Sequence, residues 1–323
     1  MIVSQTPFRI SFVGGGTDFE DFYRRYPGRV LSTSIDKYIY VAVNKKFDDR
    51  IRISYSKTEN VKDVEEIEHL IVKAVLRELG IKKGVEIVSI GDIPGKGTGL
   101  GSSSSFTVGL LKSLYSYLGE SILPGALAEK AAEIEIKKVG APIGKQDHYA
   151  AAFGGLNQIT FNPDGTVNVE PIYLTPKIKQ EFQRHLLMFY TGIQRSSTPI
   201  LSEQKVNIEE KVEDLKKLSN LVPIFRKAIE KGNFKEAGEL LHQNWLIKKR
   251  LSSKISNSLI EQMYNKAIQA KAWGGKILGA GGGGFLLVIA SPENHLAVKR
   301  ALKNYQLVSF RFTESGSKII LRN

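Results

Sequence analysis

The segment Pro94-Gly95-Lys96-Gly97-Thr98-Gly99-Leu100-Gly101-Ser102-Ser103-Ser104-Ser105 constrains this chain more than any other. Four glycines alternate with other residues, and four serines then run straight into the apolar positions Phe106, Val108, Leu110 and Leu111. Upstream, Val85–Gly91 has the pattern of a strand. The order is strand, glycine loop, helix start. Glycines let backbone approach a polyphosphate closely, and a first helical turn offers N–H groups with no partner in the helix and the positive end of its dipole. Serines at such a start cap the helix, donate to phosphate or ligate Mg²⁺. A serine-capped flexible loop would not require so many glycines, so the segment is expected to hold phosphate. It is not a Walker loop, because no G-x-x-x-x-G-K-[ST] can be read across it.

Three further segments carry candidate chemistry. Gly279–Gly284 satisfies G-x-G-x-x-G, yet it lies between two predicted strands, which argues for a tight hairpin and against a dinucleotide fingerprint. A protein-kinase glycine loop is excluded by the lack of H-R-D and D-F-G. Arg9-Ile-Ser-Phe-Val-Gly-Gly-Gly-Thr-Asp18 is a strand emptying into a loop that ends in a hydroxyl and a carboxylate. Such a loop can approach a sugar and bond its hydroxyls, or it can simply cap a helix at Phe19–Tyr26. The fourth segment runs from Glu135 to Asp147, with Gly140 and Pro142 stopping one helix and Asp147 starting the next. An acid in a first helical turn stays ionised, which suits an accepting base or a residue facing Mg²⁺. An ordinary helix-start acid, and a solvent face of Glu133, Glu135, Lys137 and Lys138, fit the local pattern as well.

The length of 323 residues suits one large domain or two ordinary ones, and 42% apolar content supplies a full core. Zero Cys excludes disulfides, thiolate zinc sites, iron–sulfur clusters and a Cys nucleophile. The longest apolar runs, Tyr38–Val43 and Phe285–Ala290, are far too short to span a membrane, and no charged-then-apolar leader opens the chain. A soluble cytoplasmic protein with no membrane partner is expected. The 46 Lys+Arg against 33 Asp+Glu are dispersed along stretches such as Lys205–Lys217 and Arg226–Lys235, interleaved with Glu as on solvated helix faces, so no nucleic-acid partner is expected.

Strands are expected at Arg9–Val13, Tyr38–Asn44, Arg50–Tyr55, Val85–Gly91 and His185–Tyr190, then at 275–279, 285–290, 306–312 and 317–321. Helices are expected at Asp63–Leu79, Ser103–Leu118 and Ala126–Val139, then at about 200–219, 222–231, 234–250, 256–271 and 292–304. Strands are not regularly separated by single helices, which places the chain in the α+β class. The change in texture puts a boundary near 180, giving units 1–180 and 181–323.

Together these segments resemble the GHMP kinases, the group of galactokinase, homoserine, mevalonate and phosphomevalonate kinases. Pro94 to Ser103 resembles their ATP loop, one residue longer between the proline and the Gly99-Leu100-Gly101 core than in many members, and Gly279–Gly284 resembles their C-terminal glycine motif. The order and spacing hold over essentially the whole chain. The resemblance implies an N-terminal domain like a ribosomal-protein fold, a C-terminal ferredoxin-like domain, and ATP and substrate between them.

Residue by residue, the resemblance implies ATP binding by Pro94, Gly95, Lys96, Gly97, Thr98, Gly99, Leu100, Gly101, Ser102, Ser103 and Ser104. It implies Mg²⁺ ligation by Ser103 and Glu135, and catalytic roles for Asp147 and Arg9. Glu135 and Asp147 are spaced as in galactokinase, and so are Arg9 and Asp18. Gly15, Gly16, Thr17, Asp18, Asp147, Arg195, Gly281 and Gly282 are the implied substrate-binding residues. Galactokinase carries Glu-His where this chain has Gly15-Gly16, which argues against galactose and leaves room for something larger. Pro7–Asp18, Ile35–Tyr40, Gly144-Lys-Gln-Asp147, Thr191–Arg195 and Trp273–Phe285 are more similar to the branch that phosphorylates D-glycero-D-manno-heptose 7-phosphate at its anomeric carbon. A phosphosugar needs a cationic pocket, for which Arg195 leads, followed by Lys145 and Lys248. The competing readings are a free-sugar kinase of galactose or fucose type, and a non-catalytic sugar or ATP sensor on the same fold. Trp245 is read as core, and His148 and His242 as structural. The chain is expected to be a monomer or homodimer.

Overall fold

The structure is a computed structural model that describes residues 1–94 and 97–323. Its strands are β1 (Ile2–Val13), β2 (Gly28–Lys45), β3 (Ile51–Ser54), β4 (Thr58–Val61), β5 (Val85–Gly91), β6 (Leu156–Phe161), β7 (Val167–Pro171), β8 (Leu186–Tyr190), β9 (Gly274–Ile277), β10 (Phe285–Ile289), β11 (Gln306–Leu307) and β12 (Lys318–Arg322). Its helices are α1 (Glu20–Tyr23), α2 (Leu70–Glu78), α3 (Ser102–Tyr117), α4 (Pro124–Glu133), α5 (Gln146–Phe153), α6 (Pro176–Arg184), α7 (Thr198–Val206), α8 (Val212–Glu230), α9 (Phe234–Lys248), α10 (Ser258–Gln269) and α11 (His295–Ala301). The mixture is α+β, as expected.

Two sheets organise the chain. The first runs β12-β1-β2-β5-β3-β4, with β6 on β2 and β7 on β6. Its spine is the long strand β2, which pairs with β1 along one edge and with β6 and then β5 along the other. The second sheet runs β11-β8-β10-β9, all antiparallel. Its central strand β10, Phe-Leu-Leu-Val-Ile, is buried at every position, so it reads as a continuous apolar run and not as an alternating one. Helices α3 and α5 cover the first sheet, and α9 lies on β9 and β10.

The expected boundary near 180 falls inside α6, between β7 of the first sheet and β8 of the second. The second sheet starts at Leu186, and after crossing it the chain returns to place β12 antiparallel to β1. Three expectations are corrected. The strand expected at 306–312 is a strand only over Gln306–Leu307, with an isolated bridge from Phe312 to Ile35. The helix expected at 292–304 is a 3₁₀ turn followed by His295–Ala301. The break expected before Pro223 is absent, because α8 continues through it. Its apolar face, Leu215, Leu218, Val222, Phe225 and Ile229, is buried, and that burial outweighs the hydrogen bond a proline forfeits.

Candidate functional site

The three glycine segments and the Glu135–Asp147 segment line one cavity of about 700 Å³. The geometry begins at Arg9, in the middle of β1 and only 3% exposed. A buried guanidinium must be paired, and this one is saturated on its inner side. Its Nε donates to Asp147 Oδ1 and its Nη2 to Asp147 Oδ2, each at 2.7 Å, while Nη1 donates to the Gly99 carbonyl at 2.7 Å. One side chain thus ties the strand, the glycine loop and the first turn of α5 together.

The loop after β5 ends at Gly101, the residue that precedes the first turn of α3 in a left-handed conformation. Ser102, Ser103 and Ser104 form that turn and face the cavity with Gly97, Gly99 and Gly101. There is no acidic residue in the turn itself to compensate the helix dipole. Pro94, Thr98 and Leu100 are not in the lining, and Leu100 is fully buried in the core. Gly95 and Lys96 lie outside the described residues.

Gly279, with φ of 68°, packs directly on this loop. A methyl group there would sit 2.6 Å from the Gly99 Cα, and one on Gly99 would sit 2.3 Å from the Leu278 carbonyl. The second glycine run is therefore a β9–β10 connection in backbone contact with the first, as the hairpin expectation required.

Glu135 sits on a π-helical turn, Ile134–Lys138, that continues α4, and it is 2% exposed. Ser103 Oγ donates to its Oε1, and His148 Nε2 lies 2.7 Å from its Oε2. Burial raises this carboxyl, but the hydrogen bond and charge of His148 and the serine hydroxyls reverse the direction and hold it below its ordinary value. An ionised carboxylate beside a hydroxyl at a helix N-terminus is an all-oxygen donor set that fits a hard cation such as Mg²⁺. No cluster of three acidic, His or Cys side chains that could hold a metal occurs among the described residues, so phosphate oxygens would have to complete the shell.

Asp18 lines the same cavity. It accepts from the N–H of Gly16 and from both the backbone and side-chain N–H of Gln146, each at 3.1 Å. Burial and the negative Asp147 raise its carboxyl, against those donors and the charge of Lys248. Lys248, the last residue of α9, reaches across to donate to the Gly15 carbonyl at 2.9 Å and to Gln204 Oε1 at 3.2 Å. Burial lowers its ammonium to about 8, with Asp18 and Asp147 opposing. Behind it Lys276 donates to the carbonyls of Ser11 and Phe12, and burial with the charges of Lys248 and Arg9 pulls it well below its ordinary value.

Arg195 lies where the two glycine loops meet. Its backbone faces Gly97, and its guanidinium is pressed on Gly282, where a methyl group would come within 2.3 Å of Cζ. Nε and Nη2 are buried with no partner among the described residues, and burial lowers the group.

The structure thus brings Arg9, Gly16, Asp18, Ser103, Glu135, Asp147, Arg195 and Gly281 into one lining. Thr17 is a correction. It is fully buried, and its hydroxyl is spent on the Gly14 and Arg29 carbonyls and the Arg29 N–H, so it holds the loop and not a ligand. Gly15 and Gly282 support Lys248 and Arg195 from behind the lining. Lys145 is also excluded from this cavity, because it is paired to Glu129 at 2.6 Å outside it. Gln146, Gln204 and Lys276 were not singled out from the sequence. Lys276, the one charge among the apolar and glycine residues Ala272–Ala280, carried a signal; Gln204 carried none.

Comparison with known proteins accords with this geometry. The model for the GHMP kinases N terminal domain matches residues 66–155, and that for GHMP kinases C terminal matches 225–306. The chain is 29% identical to the D-glycero-alpha-D-manno-heptose 7-phosphate kinase of Campylobacter jejuni, over 98% of each chain. It is 26% identical to a galactokinase of Pyrococcus furiosus, over 96% of this chain and 94% of that one. The crystal structure of a D-glycero-D-manno-heptose 1-phosphate kinase from Bacteroides thetaiotaomicron matches with a TM-score of 0.84 at 25% identity, over 100% of each chain.

Proposed function

Because the chain belongs to the GHMP kinase family and is a phosphotransferase acting on an alcohol group, we propose that it uses MgATP to phosphorylate the anomeric C1 hydroxyl of D-glycero-D-manno-heptose 7-phosphate, giving the 1,7-bisphosphate. The observation that carries this reading is that one cavity is lined by the Arg9–Asp147 pair, the first turn of α3, the buried Lys248 and the half-buried Arg195.

Phosphoryl transfer depends mainly on positioning and on neutralising charge. The first turn of α3 and the backbone of Gly97–Gly101 cradle the donor phosphates. Ser103 and Glu135 hold Mg²⁺, which when bound neutralises charge on those phosphates. Asp147 has both oxygens anchored by Arg9, and each keeps a second lone pair for the attacking hydroxyl. The carboxylate therefore orients that hydroxyl and receives its proton, while Arg9 stabilises the charge that develops on the transferred group. Asp18 and the Gly16 backbone hold sugar hydroxyls. Arg195 has two buried donors without partners among the described residues and Lys248 is a buried ammonium, and both features favour an acceptor that already carries phosphate. The soluble, cytoplasmic setting expected of such an enzyme is part of the proposal; among the described residues no helix is long and apolar enough to cross a membrane.

The test is ADP release with MgATP and a panel of heptose 7-phosphate, mannose, galactose, fucose and mevalonate, with Asp147→Asn as control. Turnover confined to the heptose phosphate, with phosphorus NMR placing the new ester at C1, supports the reading. Preference for a free sugar replaces it with a free-sugar kinase. Tight ATP binding with no turnover of any acceptor replaces it with a sensor.

A further inference from the structure

His148 follows Asp147 in the first turn of α5, and successive helical residues point about 100° apart. Asp147 turns to Arg9 on β1. His148 turns instead into the interior, where it is 0% exposed and its Nε2 meets Glu135 Oε2 at 2.7 Å. Its other nitrogen, Nδ1, is buried with no partner among the described residues. A proton on Nδ1 would be buried unpaired, whereas a proton on Nε2 is donated to a carboxylate, so the contact with Glu135 fixes the tautomer. Glu135 for its part is fixed from three sides. The π-turn sets its backbone, with Val139 N–H bonding the Ile134 carbonyl and Ala141 N–H bonding the Glu135 carbonyl, each at 2.9 Å. Ser103 holds one carboxylate oxygen and His148 the other. Single π-turns inside α-helices recur at functional sites, and a buried residue that serves only as core does not need an imidazole aimed at a carboxylate.

We propose that His148 is a positioning residue for the divalent cation. Its Nε2–H clamps Glu135 so that the remaining lone pairs of the carboxylate stay directed to the Ser103 side, where the cation of the nucleotide is held. Helix α5 then carries both halves of the chemistry on adjacent residues, Asp147 for the acceptor and His148 for the metal carboxylate. The proposal rests on the metal role assigned above to Glu135, and its test separates the two.

The full-length protein is compared with His148→Leu, His148→Gln and Glu135→Gln. Mn²⁺ binding in the presence of ADP is measured by electron paramagnetic resonance, and the Mg²⁺ dependence of turnover is measured at saturating ATP and sugar. Loss of an outer-shell partner weakens metal sites by about 10–100-fold. His148→Leu is expected to raise the Mn²⁺ dissociation constant and the half-saturating Mg²⁺ by that factor, with kcat recovering to within a few-fold at high Mg²⁺. Gln can place an amide N–H near the position of Nε2, and His148→Gln is expected to restore both values to within a few-fold of wild type. Should His148→Leu not fold, His148→Asn, polar but too short to reach Glu135, is read in its place. If Glu135→Gln shifts metal binding and His148→Leu does not, the role of His148 is overturned alone. If Glu135→Gln leaves metal binding unchanged, the metal role of Glu135 fails and His148 with it. If neither Leu nor Asn folds, His148 is a core residue and the proposal is wrong.

Discussion

Arg9 grips Asp147 by both carboxylate oxygens, through Nε and Nη2 at 2.7 Å each, and spends its remaining terminal nitrogen on the Gly99 carbonyl of the glycine loop. The Asp147 carboxylate and the glycine loop therefore share one anchor. Displacing either displaces the other.

Replacing Asp147 with Asn leaves the fork of Arg9 facing an amide that offers one acceptor where two stood. We expect kcat to fall by about 10²–10⁴-fold with KM for MgATP changed little. Arg9→Lys should lose a comparable factor, because an ammonium cannot reproduce a bidentate contact. Coupled ADP-release kinetics check both. A kcat within threefold of wild type for Asp147→Asn would remove Asp147 from the chemistry.

Lys248 gives a pH signature. Its ammonium is lowered from 10.5 to about 8 by burial, so above pH 8 the cavity loses a positive charge. KM for the phosphosugar should rise several-fold between pH 7 and 9.5 while KM for ATP stays flat, and Lys248→Met should abolish the difference. The sign for stability is opposite. Between about 8 and 10.5 the unfolded chain keeps a proton that the folded chain has shed, so this group's contribution to stability rises with pH over that window. Urea unfolding at pH 7.5 and 9.5, wild type against Lys248→Met, reads this directly.

Arg195 should separate binding from stability. Two of its buried donors have no partner among the described residues, so Arg195→Gln removes a partly desolvated charge and should not lower the melting temperature. A charged hydrogen bond is worth about 1.5–3 kcal/mol, so KM for the phosphosugar should rise about 10–100-fold. Turnover of any free sugar should be unaffected. A variant that instead weakens ATP and leaves the acceptor alone would move Arg195 to the donor side.

At Gly279 a methyl group would collide with Gly99 and demand a φ of 68° from an alanine. Gly279→Ala should destabilise the protein by about 1–3 kcal/mol and raise KM for ATP, since relief comes only by moving the phosphate loop. Thermal unfolding with and without ATP is the measurement, and an unshifted melting temperature would contradict the backbone contact.

Much of this was legible in sequence where a local pattern carries its own physical reason. Val85–Gly91 and the helix from Ser102 were placed to within a residue, because a strand and a helix start after a glycine run each leave a compositional mark. The strands Leu156–Phe161 and Val167–Pro171 were not foreseen; the first follows Gly154-Gly155 and takes its pairing from the first half of β2, a partner more than a hundred residues away, and the second pairs only with the first. The opening half of β2 was missed for the same reason. Thr17 was misread because a hydroxyl beside a carboxylate in a glycine loop looks available until its burial is known. Gln204 and Lys276 became visible only through the packing of helix and strand onto the Gly14–Asp18 loop.

The return of β12 to the edge of β1 has a consequence for biosynthesis. Strand β1 leaves the ribosome before the neighbour that covers its outer edge, which is made only after the whole second sheet. An exposed strand edge invites pairing with other chains until it is covered. During translation that edge stays open while about three hundred residues are added, so the nascent polypeptide carries a hazard of intermolecular association throughout that interval, and β12 ends the exposure when it pairs.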